Sequence, residues 1–246
     1  MPKIYDNIEN HSRYCKWNSV ARSNLFHTIE YIKTSQVHND GSMPKTGSEN
    51  SLRILEKIAR NIKSIAHFVA STSSCARVFY TRKLSGFVQI LNFIPLIKDN
   101  IGKKRAPSEL KDVLFDSKNT ASSILSTLNS TLFYWYLTIW SDCRNLNKRD
   151  VLGIPVVETS LEDRKLYDLA DQLMADFKQK SQMLQMGKLL IQCIYPKLSK
   201  PLIDQIDSLL AVHYGFTHAE LDFIINYDIQ YRMGKELEGE EERGAA

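Results

Sequence analysis

The sequence predicts an α+β fold, with a small antiparallel β-rich sheet flanked by helices and a helical C-terminal part. Three observations predict it. Two β-rich runs, 76–82 and 87–93, lie either side of Lys83-Leu84-Ser85-Gly86, a spacing suited to a hairpin. Ile124, Leu125, Leu128, Leu132, Phe133, Tyr136 and Ile139 recur at helical spacing, and large residues on several sides make this helix (120–140) a buried one. Beyond residue 159 the apolar residues keep to the 3.6 period.

In chain order, Leu25, Ile29 and Ile32, widened by Phe26, predict a helix over 20–33. Residues 36–50, with Gly41, Pro44 and Gly47 and no periodicity, predict a mobile loop. Ser51 is expected to cap a helix whose inward stripe is Leu52, Leu55, Ile58, Ile62 and Ile65, with Arg53, Lys57, Arg60 and Lys63 on its other faces. In the first hairpin strand Arg77, Phe79 and Thr81 alternate with Val78, Tyr80 and Arg82, so one face packs. Gly86 is expected to give the connection its conformational freedom.

A third strand is expected over 109–115, after a loop carrying Lys103, Lys104 and Arg105. Residues 141–150 read as a polar segment, and Ile154-Pro155-Val156-Val157 as a short extended piece, its proline suited to an edge. Ser160 is the expected cap of a long helix with Leu166, Leu169, Leu173, Met174, Phe177 and Met183 on its stripe. Two further helices are expected, 201–214 ended by Gly215, and 219–231 capped by Thr217. The implied organisation is a linker, helix and flexible loop over 1–50, an α+β region over 51–158, a helical region over 159–234 and an acidic disordered tail over 235–246.

At 246 residues with 43% apolar side chains, the chain is long enough to bury a core. The run 132–140 is too short to span a bilayer, and nothing near Met1 reads as a signal peptide, so a cytoplasmic protein without membrane contact is expected. Cys15, Cys75, Cys143 and Cys193 form no C-x-x-C pair and suggest free thiols. His213 and His218 miss the one-turn spacing of metal ligands, and no cofactor is expected.

The net charge of +4 conceals an asymmetry. Residues 53–118 hold thirteen Lys or Arg against five Asp or Glu, whereas residues 201–246 hold three against ten. The first region therefore suits an anionic partner.

No Gly-rich phosphate loop, nucleophile elbow or H-E-x-x-H motif is present. The seven prolines are never adjacent, which removes the Asn- or Asp-Pro-Pro-aromatic loop that amino-methyltransferases need. Asp99 followed by Glu109-Leu110-Lys111 leaves one catalytic alternative open, a Mg²⁺-dependent endonuclease in which two carboxylates hold the ion and the lysine assists water.

The segment Leu128-Asn129-Ser130-Thr131-Leu132-Phe133-Tyr134-Trp135-Tyr136 leads into Ser141-Asp142-Cys143-Arg144-Asn145-Leu146-Asn147-Lys148-Arg149-Asp150 and closes with Ile154-Pro155-Val156. This resembles the signature of the TaqI-like C-terminal specificity domain, the target-recognition part of type II adenine-specific DNA methyltransferases and fused restriction-modification enzymes. A second stretch is similar to the ending of many such enzymes. It starts at Tyr195-Pro196-Lys197-Leu198-Ser199-Lys200-Pro201, passes His213-Tyr214-Gly215-Phe216-Thr217 and ends near Tyr231-Arg232-Met233-Gly234. The resemblance covers roughly 51–234 and implies sequence-specific binding of double-stranded DNA without catalysis. Residues 22–33 look like the piece that follows the catalytic domain, so a separate methyltransferase or nuclease polypeptide is the expected partner.

DNA binding of this kind needs cations for phosphates and paired donors for base edges. The candidates are Arg77, Arg82 and Lys83 on the hairpin, Lys103, Lys104 and Arg105 in the loop, and Arg144, Asn145, Asn147, Lys148 and Arg149 after the buried helix. Arg144 or Asn147 would alternatively cap the end of that helix. A helical module whose acidic C-terminal region binds a basic protein is the non-nucleic-acid alternative.

Overall fold

A computed structural model describes residues 3–13, 27, 29–37, 43–70, 76–84 and 86–234. The described part has the expected α+β character, built on three small antiparallel sheets and a helical core.

The N-terminal part differs from expectation. Strands β1 (Lys3–Ser12) and β2 (Tyr31–Val37) pair antiparallel, from Lys3 opposite Val37 to Ser12 opposite Tyr31, with a register shift between Ile4 and Glu9. Residues 31–33 are therefore strand, and most of the helix expected over 20–33 lies outside the described residues. The expected loop is held where it is described: the Lys45 N–H donates to the Ile139 carbonyl at 3.1 Å, and Thr46 is buried. Helix α1 (Glu49–Ala59) is capped three residues earlier than predicted, by Ser48, whose hydroxyl accepts from the Ser51 N–H at 3.2 Å. Ile54, Leu55 and Ile58 face inward; Ile62, beyond the helix end, is 94% exposed.

The expected sheet forms with its third strand, but the second strand, expected over 87–93, shrinks to Ile90–Leu91. Strand β3 (Ala76–Thr81) lies between β4 (Ile90–Leu91) and β6 (Leu110–Phe115), antiparallel to both. Tyr80 faces Ile90 on one side and Lys111 on the other. Val78, Tyr80, Val113 and Phe115 turn inward, as the alternation requires.

A further sheet was invisible locally. Strand β5 (Ile97–Asp99) pairs with β8 (Leu189–Cys193), which pairs with β7 (Gln182–Met186). Met183 therefore sits in a strand, and the helix that was expected to include it, α5 (Arg164–Gln179), stops earlier. Asp163, rather than Ser160, caps it by accepting from Lys165 N–H.

The buried helix divides into α2 (Lys118–Asn129) and α3 (Thr131–Trp140) at Ser130, whose extended backbone ends one helix while its hydroxyl caps the next. Asp207 enforces the break. Its two carboxylate oxygens accept from Thr131 and Leu132 N–H at 3.1 and 3.0 Å, giving the first donors of α3 partners from outside the helix. Trp135, Tyr134 and Phe133 are fully buried, so the aromatic run is core.

Asp207 belongs to α6 (Lys200–Tyr214), which ends at Gly215 with φ 68°, a left-handed cap. Thr217 then caps α7 (His218–Ile225) in a capping box with Glu220. The helix predicted over 219–231 is interrupted by Asp228 at φ 50°, and α8 (Ile229–Met233) follows as a separate turn. One continuous apolar cluster runs from Ile54 to Tyr227 and joins 51–158 to 159–234. Among the described residues no helix is long and apolar enough to cross a membrane. The expected acidic tail lies outside the described residues.

Candidate nucleic-acid interface

Past the end of β3 the chain does not leave the protein surface. Lys83 forms an antiparallel bridge with Asn145, and the Leu146 N–H donates to the Arg82 carbonyl at 2.9 Å. The hairpin tip is thus joined through its backbone to the polar segment that follows α3.

That segment is ordered by its own side chains. The Ser141 hydroxyl accepts from the Cys143 N–H, the Asp142 carboxylate accepts from the Arg144 N–H at 3.0 Å, and Cys143 adopts φ 59° between them. Leu146 and Val151 are buried and pin the segment to the core. Helix α4 (Lys148–Gly153) follows, a turn that composition alone left as polar coil.

Asn147 is the N-cap of α4 in a capping box with Asp150, whose carboxylate accepts from the Asn147 N–H at 2.9 Å. The Asn147 amide also donates to the Asn145 carbonyl. Its side chain is therefore engaged locally, at the start of the following helix rather than at the end of α3, and is a positioning group. Arg82, Lys83, Arg144, Asn145, Lys148 and Arg149 have exposed side chains. Among the described residues the five cations in this set form no ion pair, and the nearby Asp150 is committed to its cap. Lys148 and Arg149 stand in the first turn of α4, where the helix dipole gives cations no benefit, so helix stability does not account for them.

Two other predicted cations are neutralised. Arg77 pairs with Asp112 across the β3–β6 ladder at 3.2 Å, and Arg105 pairs with Asp99 at 3.0 Å. Lys103, Lys104 and Arg105 form the returning arm of a tight turn after β5, with Lys104 bridging Lys98 and Gly102 at φ 80°. Among the described residues no hydrogen bond or ion pair links this turn to the hairpin tip. The tip and the 144–149 segment are together; the 103–105 loop belongs to a different sheet.

The geometry also bears on Asp99, Glu109 and Lys111. The Asp99 carboxylate accepts from Ile101 N–H, Lys103 N–H and the Arg105 guanidinium at 2.9–3.2 Å. Burial pushes this carboxyl up, but the donors from Lys103, Arg105 and Ile101 outweigh it and hold it below the ordinary carboxylate range. Both oxygens are thus committed to shaping the turn, while Glu109 and Lys111 are exposed elsewhere, at β6. Among the described residues no group of three His, Cys, Asp or Glu side chains is placed to hold a metal ion.

One anchor of the site was not read from the sequence. Arg232, in α8, is 5% exposed, and its guanidinium lies 4.2 Å from the Phe87 ring centroid and 4.9 Å from that of Tyr134. It donates to the Gly86 carbonyl at 2.8 Å and to the Thr131 hydroxyl at 3.2 Å. A Cβ on Gly86 would lie 2.9 Å from Arg232 Cα. Gly86 is needed for this close approach rather than for turn freedom.

No family model, curated protein or solved structure matches the chain.

Proposed function

We propose that this chain binds double-stranded DNA and supplies target recognition to a restriction-modification system acting on adenine N6, with methyl transfer or cleavage carried out by another polypeptide. The observation that carries the reading is the backbone junction between Arg82-Lys83 and Asn145-Leu146, which groups five exposed cations and one exposed asparagine on joined segments. Cations at Arg82, Lys83, Arg144, Lys148 and Arg149 suit a phosphate backbone, fixing register without reading sequence. The Asn145 side chain carries the paired donor and acceptor that match adenine in the major groove. The aromatic and polar motifs of the sequence support the same reading.

Selection of bound duplexes from a randomised pool tests this. Enrichment of a short adenine-containing sequence is expected, and Asn145→Ala should relax preference at one position, costing about 1–3 kcal/mol of discrimination there. A pool that remains random after selection would refute target recognition. Retention of full specificity by Asn145→Ala would refute the role given to that residue.

A further inference from the structure

Behind the hairpin tip a cleft of about 370 Å³ opens between residues 81–83 and 86–89 on one side and the strand-exit segment 194–197 on the other, with Arg232 at its wall. Its volume falls in the range of small-molecule sites. Thr81, Lys83 and Gln89 line it from the hairpin side, and Tyr195 and Lys197 from the other. Among the described residues the Gln89 amide, the Thr81 and Tyr195 hydroxyls and the Lys83 ammonium make no side-chain hydrogen bond or ion pair to the protein, and all four line this one cleft.

We infer that the cleft is a nucleotide site, taking one planar heterocyclic base together with its phosphate. The chemistry divides along the cleft. Ile194 and the Tyr195 ring offer apolar surface against which a flat base stacks, and such contacts tolerate any base because each has a π-face. Gln89 presents a donor and an acceptor together, the pairing that a base edge requires. Lys83 supplies positive charge for the phosphate. The Arg232 guanidinium is already held by Gly86, Thr131 and Tyr227, so it adds a fixed positive wall and keeps the hairpin side of the cleft in place. A purely apolar ligand would leave the convergent polar groups unmatched, and a bare phosphate would leave the Tyr195 side unused. The inference stands on the cleft alone and does not require that the outer face bind a duplex.

The test is titration of the full chain with deoxyadenosine monophosphate and, separately, ribose 5-phosphate, followed by chemical shift or calorimetry. Saturable binding of the nucleotide is expected, at least about tenfold tighter than that of the sugar phosphate, the advantage that one stacked base provides. Tyr195→Ala and Gln89→Ala should each reduce that advantage, Tyr195→Ala close to its full extent. Far-UV circular dichroism checks that the variants fold, and Tyr195→Phe, which keeps the ring, should retain the advantage if it is stacking that matters. Equal affinity for the two probes, no saturation by the nucleotide up to about 10 mM, or full retention of the preference in folded Tyr195→Ala would overturn the inference. Duplex affinity measured on the same variants should be unchanged, so loss of the nucleotide site and loss of duplex binding are separate results.

Discussion

Gly86→Ala probes the contact that holds the hairpin to the C-terminal turn. The added Cβ would lie 2.9 Å from Arg232 Cα and 3.3 Å from its Cγ, and the nearer atom is backbone. The helix turn is not free to move aside, because the Arg232 side chain is packed on the Phe87 and Tyr134 rings and donates to Gly86 itself. Overpacking of this sort costs about 1–3 kcal/mol. If the turn shifts and the charged hydrogen bond to Gly86 is lost, about 1.5–3 kcal/mol more is at stake. A total of about 2.5–6 kcal/mol corresponds to a fall of roughly 5–24 °C in Tm for a chain of this size. Urea and thermal denaturation followed by far-UV circular dichroism measure it. Gly153→Ala is the control, since a Cβ there meets nothing within 4 Å. Equal stability of the two variants would refute the close-approach argument.

Two further perturbations test the buried polar groups. Burial pushes the Asp207 carboxyl up to about 6, against the pull of Leu132 and Thr131 N–H. Its folded value exceeds its ordinary value of 3.8, so the stability it confers is complete below that value and is lost as pH rises through about 6. The difference in unfolding free energy between wild type and Asp207→Asn should therefore vary across this window, and a difference independent of pH would contradict the assignment. Asp99→Ala should unhook the turn after β5, speeding amide hydrogen exchange at Ile101 and Lys103 while leaving β3 and β6 protected; unchanged exchange at both amides would remove its bracing role.

The parts of the fold visible in the sequence are those encoded by neighbours in the chain. Buried Val78 and Tyr80 alternate with the less buried Arg77, Phe79 and Thr81, Gly215 takes the left-handed cap, and Thr217 with Glu220 forms a capping box, each set by near neighbours in the chain. What escaped notice depends on distant partners. Strand β5 is three residues long and acquires its identity from β8, more than ninety positions later. The split at Ser130 depends on Asp207, and the glycine at 86 on Arg232. The pattern of Leu25, Ile29 and Ile32 suggested a helix that would have continued into residues paired with β1.

The candidate site shows the same division. Its exposed cations could be picked out by type, but charge alone did not distinguish Arg77 and Arg105, which are ion-paired, from Arg82 and Arg144, which are not. Nor did it show that Asn147 is a cap or that 103–105 belongs to another sheet. Those distinctions require knowing which carboxylate each side chain meets after folding.

The most direct test is the slope of log affinity against log salt for a generic duplex, measured for the wild type and for two charge-removal variants. With five exposed cations acting together, the wild-type slope should be about −4 to −5. Arg82→Ala/Lys83→Ala should reduce its magnitude by about 2, and Arg144→Ala/Lys148→Ala/Arg149→Ala by about 3, because each lost phosphate contact removes close to one unit. A wild-type affinity indifferent to salt, or a slope that neither variant changes, would contradict the claim that these two segments form one DNA-binding face.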